Sequence, residues 1–172
     1  MALTVKAFNF IKSVGVAPAS QAVTGIGFTP KALILWTVGR TLGDVIAGDH
    51  RLAIGFSVGT AAGDNKSAAA ASNDAVGTSN ASRRIAAKAL TIIEWAEVLL
   101  AECDLTSFDA DGFTLSWTTN NVAAYIIHGV AIGGADLTGA KVVNWTMPTT
   151  AIAKAVTGVG FVPDCVFHVH AG

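Results

Sequence analysis

One nine-residue motif occurs twice in the chain, and this repeat constrains the fold more than any other feature. Residues 22–30 read AVTGIGFTP and residues 155–163 read AVTGVGFVP, so the copies lie 133 residues apart and agree at seven of nine positions. A shorter echo precedes each copy, because KAFNF at residues 6–10 returns as KVVNW at residues 141–145. This spacing is that of an ordinary domain. The sequence therefore predicts a complete β module over residues 1–138 and a partial repeat of its opening strands over residues 139–172.

The motif itself predicts a strand, a kink and a second strand. Val and Thr suit a pleated, half-buried surface, whereas Gly25 and Gly27 indicate a bulge or a positive φ. Pro30 then fixes φ before residues 32–36, which read ALILW and are apolar on both faces, as in a strand that is covered on both sides. The GxG pattern does not indicate a dinucleotide site, because neither a third glycine at the required position nor a helix follows it.

The remaining pattern also predicts strands. Asp109-Ala-Asp-Gly112 is typical of a hairpin turn, and the residues on either side alternate between apolar and polar. We expect a polar loop over residues 77–84 and a helical turn near residues 86–90. Further strands are predicted at residues 3–11, 51–58, 66–72, 123–132, 141–146 and 165–170. About ten strands with frequent turns predict an all-β fold, a β-sandwich or jelly-roll-like module.

The low charge of the chain bears on its partners. Only 13% of residues are charged and the formal net charge is −1, so the sequence lacks the basic footprint of a nucleic-acid-binding protein. No apolar stretch is long enough to span a bilayer, and the first residues do not have the pattern of a secretory leader. Many small, uncharged residues in predicted strands indicate surfaces covered by other copies of the same chain. We therefore expect a symmetric homo-oligomer that binds neither nucleic acid nor membrane.

No catalytic motif is present. The sequence contains no nucleophile elbow, HExxH, CxxC or P-loop pattern. Its loop carboxylates are accounted for by turn chemistry, although a glycosidase pair among them remains an alternative. These carboxylates are Asp44, Asp49, Asp64, Asp74, Asp109 and Asp111. We expect no enzymatic activity, no catalytic residue, no cofactor and no metal site.

A few side chains are candidate binding groups. His168 and His170 share one strand face, a spacing that suits two metal ligands, but without a third ligand we expect no dedicated site. His128 is expected to be a hydrogen-bonded core residue, and Cys103 and Cys165 to be buried free thiols. The tryptophans are expected to be core or interface anchors, the alternative being a sugar-stacking platform. They are Trp36, Trp95, Trp117 and Trp145.

Three sequence features occur together: the paired AVTGxGFxP motifs, FDADGFTLSWTT at residues 108–119 and IIHGVAIGG at residues 126–134. In these features the chain resembles the β-rich structural proteins of tailed bacteriophages, which are often tail or tail-fibre-like. It implies a non-enzymatic virion component whose partners are its own copies and other virion proteins. A carbohydrate-binding receptor module of a tail fibre, contacting a host surface glycan, is the alternative, and a polysaccharide hydrolase is the third reading.

The partial repeat must cover its apolar residues somewhere, because a hairpin-sized unit cannot bury an apolar face alone. Its own domain and a neighbouring subunit, joined by strand exchange, are both candidate hosts. We expect residues 139–172 to pack on the same domain.

Overall fold

The protein is an all-β chain of ten strands, seen in a computed structural model that describes residues 2–78 and 80–170. The strands run through residue 134, and we call this part the body. They are β1 Leu3–Ile11, β2 Ala19–Thr24, β3 Pro30–Thr37, β4 His50–Ser57, β5 Asn65–Ser72, β6 Ala81–Ala86, β7 Leu90–Ile93, β8 Leu99–Asp109, β9 Gly112–Thr119 and β10 Ile126–Gly134. A short 3-10 turn, Ala62–Asp64, precedes β5.

The strands form two antiparallel sheets. The large sheet has six strands in the order β1-β10-β3-β4-β5-β6, and the small sheet has four in the order β2-β9-β8-β7. The chain crosses between the sheets four times, after β1, after β2, after β6 and after β9. Both edges of β9 and both edges of β10 are therefore paired, β9 with β2 and β8, and β10 with β1 and β3.

One apolar core is shared by the two sheets. Alternate residues of each strand point into it, as the period-two pattern requires. Leu33 and Leu35 contribute from the large sheet, and Leu115 and Trp117 from the small sheet, each at most 1% exposed. Trp117 also satisfies its indole, because Nε1 donates to Gln21 Oε1 at 2.8 Å. The small sheet thus packs its apolar side against the inner side of the large sheet.

A buried lysine closes one end of this core. Lys12, directly after β1, is 1% exposed and donates through Nζ to the carbonyls of Ser13 and Asn121, both at 2.8 Å. It also donates to Asn120 Oδ1 and lies 5.3 Å from the ring centroid of Trp117. Burial lowers the pKa of Lys12 to about 8. The ammonium group therefore joins the end of β1 to the connection between β9 and β10.

The central sequence predictions are confirmed. The first copy of the repeated motif forms the end of β2, a kink with φ of +83° at Gly25 and +88° at Gly27, and then β3. Asp109 and Gly112 pair across the turn between β8 and β9. Residues 65–72 form a strand although alanine favours helix, and Ser67, Ala69 and Ala71 of this strand are small residues that point inward.

Three local predictions are wrong. Residues 81–84 belong to edge strand β6 rather than to a loop, and residues 87–89 form bends without a helical turn. The predicted strands at residues 141–146 and 165–170 are also not strands. The physical reason is that the matching strand partners are already occupied. In the first copy the opening strands β1 and β2 pair with β10 and β9, so the second copy cannot use those edges. Residues 139–170 are mostly exposed.

Candidate functional site: the outer face of the large sheet

The side of the large sheet that points away from the core is apolar over most of its width, and we call it the outer face. In β3 it presents Ala32, Ile34 and Trp36, the half-buried residues that alternate with buried ones. In β10 it presents Ile126, His128, Val130 and Ile132 by the same alternation. Strands that are apolar on both sides are typical of sheets that are covered on both sides.

Strand register aligns these residues in rows across the sheet. One row runs Ala7, Val130, Ile34, Phe56 and Lys66, through β1, β10, β3, β4 and β5. The next row runs Asn9, His128, Trp36, Ile54, Ala68 and Ile85, and includes β6. Cross-strand neighbours on one face lie close enough to contact each other, so the two rows form one continuous surface.

The outer side of the small sheet has the opposite character. Its outward residues on β8 include Glu102, Asp104 and Thr106, and those on β9 are Thr114, Ser116 and Thr118. Lys88 Nζ forms an ion pair with Asp104 at 2.9 Å on this side. This is the composition expected of a solvated sheet face. The contrast within one body shows that the apolar outer face is not a general property of its surface.

The outer face is large enough for a stable protein interface. Five interstrand spacings of about 4.8 Å and strands of about eight residues at about 3.4 Å each give roughly 650 Å². A typical interface buries about 800 Å² on each partner, and the largest apolar patch of a monomer is usually about 300–600 Å². Its edge strands remain accessible, since Val5 is 55% and Ile85 is 57% exposed. The face therefore meets the size and polarity of an interface.

A second polar arrangement joins the motif to the β8–β9 turn, and we call it the clasp. The backbone N–H of Gly25 donates to Asp111 Oδ2 at 2.9 Å, and that of Gly27 donates to Oδ1. The N–H of Ile26 donates to the Asp111 carbonyl at 3.1 Å, and Lys6 Nζ donates to the Gly25 carbonyl at 2.6 Å. Successive N–H groups in such a kink form a concave anion site. The repeated motif thus holds a carboxylate.

The pKa of Asp111 is lowered mainly by the hydrogen bonds from the backbone N–H groups of Gly27 and Gly25. The charge of Lys6 lowers it by a smaller amount. An aspartate with a lowered folded-state pKa stabilises the fold above its unfolded pKa, and this contribution is lost as pH falls through the folded pKa. We expect Asp111→Asn to be less stable than the parent at pH 7, with the difference shrinking as pH drops below about 4. Urea unfolding of both proteins from pH 7 to pH 2.5 measures this. A difference that is independent of pH would contradict it.

The structure separates the four tryptophans rather than assembling them. Trp117 is a core residue, as expected, and Trp36 lies half-buried on the outer face. Trp95 stacks with the guanidinium of Arg51 at 4.6 Å, and that arginine also pairs with Glu94 at 2.8 Å. Trp145 lies near the ring of His168 at 5.7 Å. In the described part of the chain these residues make no shared stacking platform.

Two expectations about candidate ligands need correction. His128 is not a hydrogen-bonded core residue, because its ring lies half-buried on the outer face and stacks on Trp36 at 5.9 Å. Cys103 is a buried free thiol as expected, and burial raises its pKa. Cys165 is free but exposed, because residues 165–170 do not enter a sheet.

The remaining polar candidates lie in turns and in one groove. No group of three or more metal-binding side chains occurs within residues 2–78 and 80–170. Asp109 accepts hydrogen bonds from Ser107 and Thr114, and Asp49 accepts one from the backbone of Asp74, so turn bonding accounts for these carboxylates. An open groove is lined by the end of β5, the start of β6 and the connection from β7 to β8, with His50, Arg84 and Glu97 among its residues. Arg84 pairs there with Glu102 at 3.0 Å.

Comparisons with known proteins give no further guide. The chain matches no protein-family model, no curated protein and no solved structure. Among the described residues there is no helix of the length and apolar character that crossing a membrane requires. The outer face and the clasp are therefore the structural features that bear on function.

Proposed function

We propose that this protein is a non-enzymatic structural subunit of a tailed-bacteriophage virion, a β-sandwich or jelly-roll-like module that assembles with copies of itself through the outer face. The apolar outer face is the observation that supports this most. The virion setting rests on the sequence resemblance of the repeated motif and of residues 108–119 and 126–134.

A second copy of the chain is the occupant that the outer face fits best. The charged positions on this face within the described ranges are Lys66 and Arg83, both on its β5–β6 side, so it offers little to a strongly charged partner. A face of roughly 650 Å² that is apolar over most of its width matches one side of a self-complementary interface between two identical subunits. Two such faces, packed against each other, would cover β3 and β10 on both sides.

Replacing Val130 with lysine is expected to dissociate the oligomer, because the new ammonium group would be buried in the middle of the apolar interface. Ser116→Lys is the matched control, since Ser116 lies at a similar position on the polar outer side of β9, opposite Asp104. Sedimentation velocity at micromolar concentration measures both. We expect the parent and Ser116→Lys to sediment as one oligomer and Val130→Lys to sediment as a folded monomer. A monomeric parent would contradict the proposal.

A carbohydrate-binding module of a tail fibre is the second candidate. Trp36 stacked on His128, in register with Asn9, brings aromatic rings and hydrogen-bonding atoms together on the outer face. Such a combination suits the apolar and polar sides of a sugar. Glycan-array binding that is lost in Trp36→Ala and kept in Trp95→Ala would favour this candidate over self-assembly.

A further inference from the structure

The second copy of the repeated motif has the backbone of the clasp. In the first copy φ is +83° at Gly25 and +88° at Gly27, and in the second it is +83° at Gly158 and +86° at Gly160. The two copies also share seven of nine residues. A conformation that holds the Asp111 carboxylate in the body is therefore formed again in residues 155–163, outside any sheet.

No carboxylate from the described part of the chain is bonded to this second copy. Within residues 2–78 and 80–170, no acceptor receives a hydrogen bond from the N–H of Gly158 or of Gly160. Asp111 is not available to them, because Gly25 and Gly27 hold both of its carboxylate oxygens. The second copy thus repeats the positive-φ glycines of the clasp, and no carboxylate of the described part of the body is bonded to it.

The apolar side chains around the second copy are also uncovered where their counterparts are buried. Leu33 is 1% exposed, whereas Val166, at the equivalent position, is 60% exposed. Phe28 packs against the core, and its counterpart Phe161 is 42% exposed. In the body the motif's own strand β2 pairs with β9, and its kink is bonded to Asp111 in the β8–β9 turn. A hairpin of the same kind is therefore what the second copy fits.

We propose that residues 139–170 are a docking segment for an acidic β-hairpin of a partner protein. The hairpin carries an Asp-X-Asp-Gly turn, like that at residues 109–112, whose second aspartate is not held by a clasp of its own. Its carboxylate accepts hydrogen bonds from the N–H groups of Gly158 and Gly160, and its strands cover Phe161 and Val166. Lys141 corresponds in sequence to Lys6, which fixes the kink in the body.

The direct test uses a hairpin as the probe. A head-to-tail cyclised, fluorescently labelled peptide of residues 105–116, LTSFDADGFTLS, is titrated with the full chain and followed by fluorescence anisotropy. We expect saturable binding. The same peptide with asparagine in place of the second aspartate should bind at least about tenfold more weakly, because a hydrogen bond to a charged group is lost. Equal affinity for both peptides would overturn the proposal, and so would no binding at millimolar protein.

A variant of the docking segment locates the binding. Gly158→Ala combined with Gly160→Ala places side chains at positive φ, which disfavours the loop conformation without touching the body. We expect this variant to bind the aspartate peptide at least about tenfold more weakly, since both N–H donors move. Gly43→Ala, a change at a glycine with open surroundings, is the control and should bind as the parent does. Unchanged binding by the double variant would place the site elsewhere and overturn the proposal.

Discussion

Trp117→Ala is expected to lower the free energy of unfolding by about 3–5 kcal/mol, the usual range for truncating a large core aromatic residue. Trp117 is fully buried on β9 between the two sheets. The substitution would leave a cavity and remove the donor to Gln21 Oε1. It would also remove the ring that faces the ammonium group of Lys12 at 5.3 Å. All three losses fall at the end of the core where Lys12 is buried.

Trp145→Ala is the matched control for this truncation. Trp145 is 38% exposed and lies in residues 139–170, outside the ten strands. The same chemical change there should alter the free energy of unfolding by about 0.5 kcal/mol or less, as surface substitutions do. Urea denaturation followed by far-UV circular dichroism measures both variants. Equal losses for the two would mean that Trp117 does not hold the sheets together.

The local parts of the fold were accessible from sequence. Glycine and proline chemistry places the kink at Gly25 and Gly27, and the Asp-Gly pair with its flanking alternation places the β8–β9 hairpin. Strand β6 was missed because its Ser82-Arg83-Arg84 sequence is polar, which an edge strand tolerates. The C-terminal strands were predicted because the repeat has strand-forming residues, but the edges of β9 and β10 with which the first copy pairs are already occupied.

The candidate site was accessible only in part. The ALILW stretch of β3 predicts cover on both sides, but sequence does not tell which side faces the core. The clasp joins Gly27 to Asp111 across a separation of 84 residues, and no local pattern connects them. The burial of Lys12 was likewise not predictable from local sequence, because its acceptors at Asn120 and Asn121 lie 108 and 109 residues later in the chain. Long-range pairing decides each of these contacts.

Close approach of β7 to the large sheet explains the run of small residues in β4 and β5. Gly55, Ala53, Ala69 and Ala71 all point inward, and the last three are at most 2% exposed. Ser67 Oγ donates to Thr91 Oγ1 at 2.8 Å across the same contact, inside the core. The small inward residues Ala69 and Ala71 are therefore a requirement of sheet packing and not a sign of helix.

Gly55→Ala is expected to cost about 3 kcal/mol or more, at the upper end of the range for overpacked cores. A Cβ at Gly55 would overlap the carbonyl oxygen of Ala89 and lie 2.8 Å from its carbonyl carbon. These are backbone atoms, so no side-chain rotation relieves the clash, and the segment before β7 has to move away from β4. That movement also strains the hydrogen bond from the Ala89 N–H to the Cys103 carbonyl, 2.9 Å long, which ties this segment to β8.

Gly77→Ala is the control, because nothing lies within 4 Å of a Cβ at Gly77. We expect its free energy of unfolding to stay within about 0.5 kcal/mol of the parent value. Thermal and urea denaturation measure the stability of both variants. The difference between them isolates the clash at Gly55 from the general effect of replacing a glycine with alanine. If Gly55→Ala unfolds at the same urea concentration as Gly77→Ala, the backbones of β4 and the β7 segment are farther apart than this packing requires. The small inward residues of β5 would then need a different explanation.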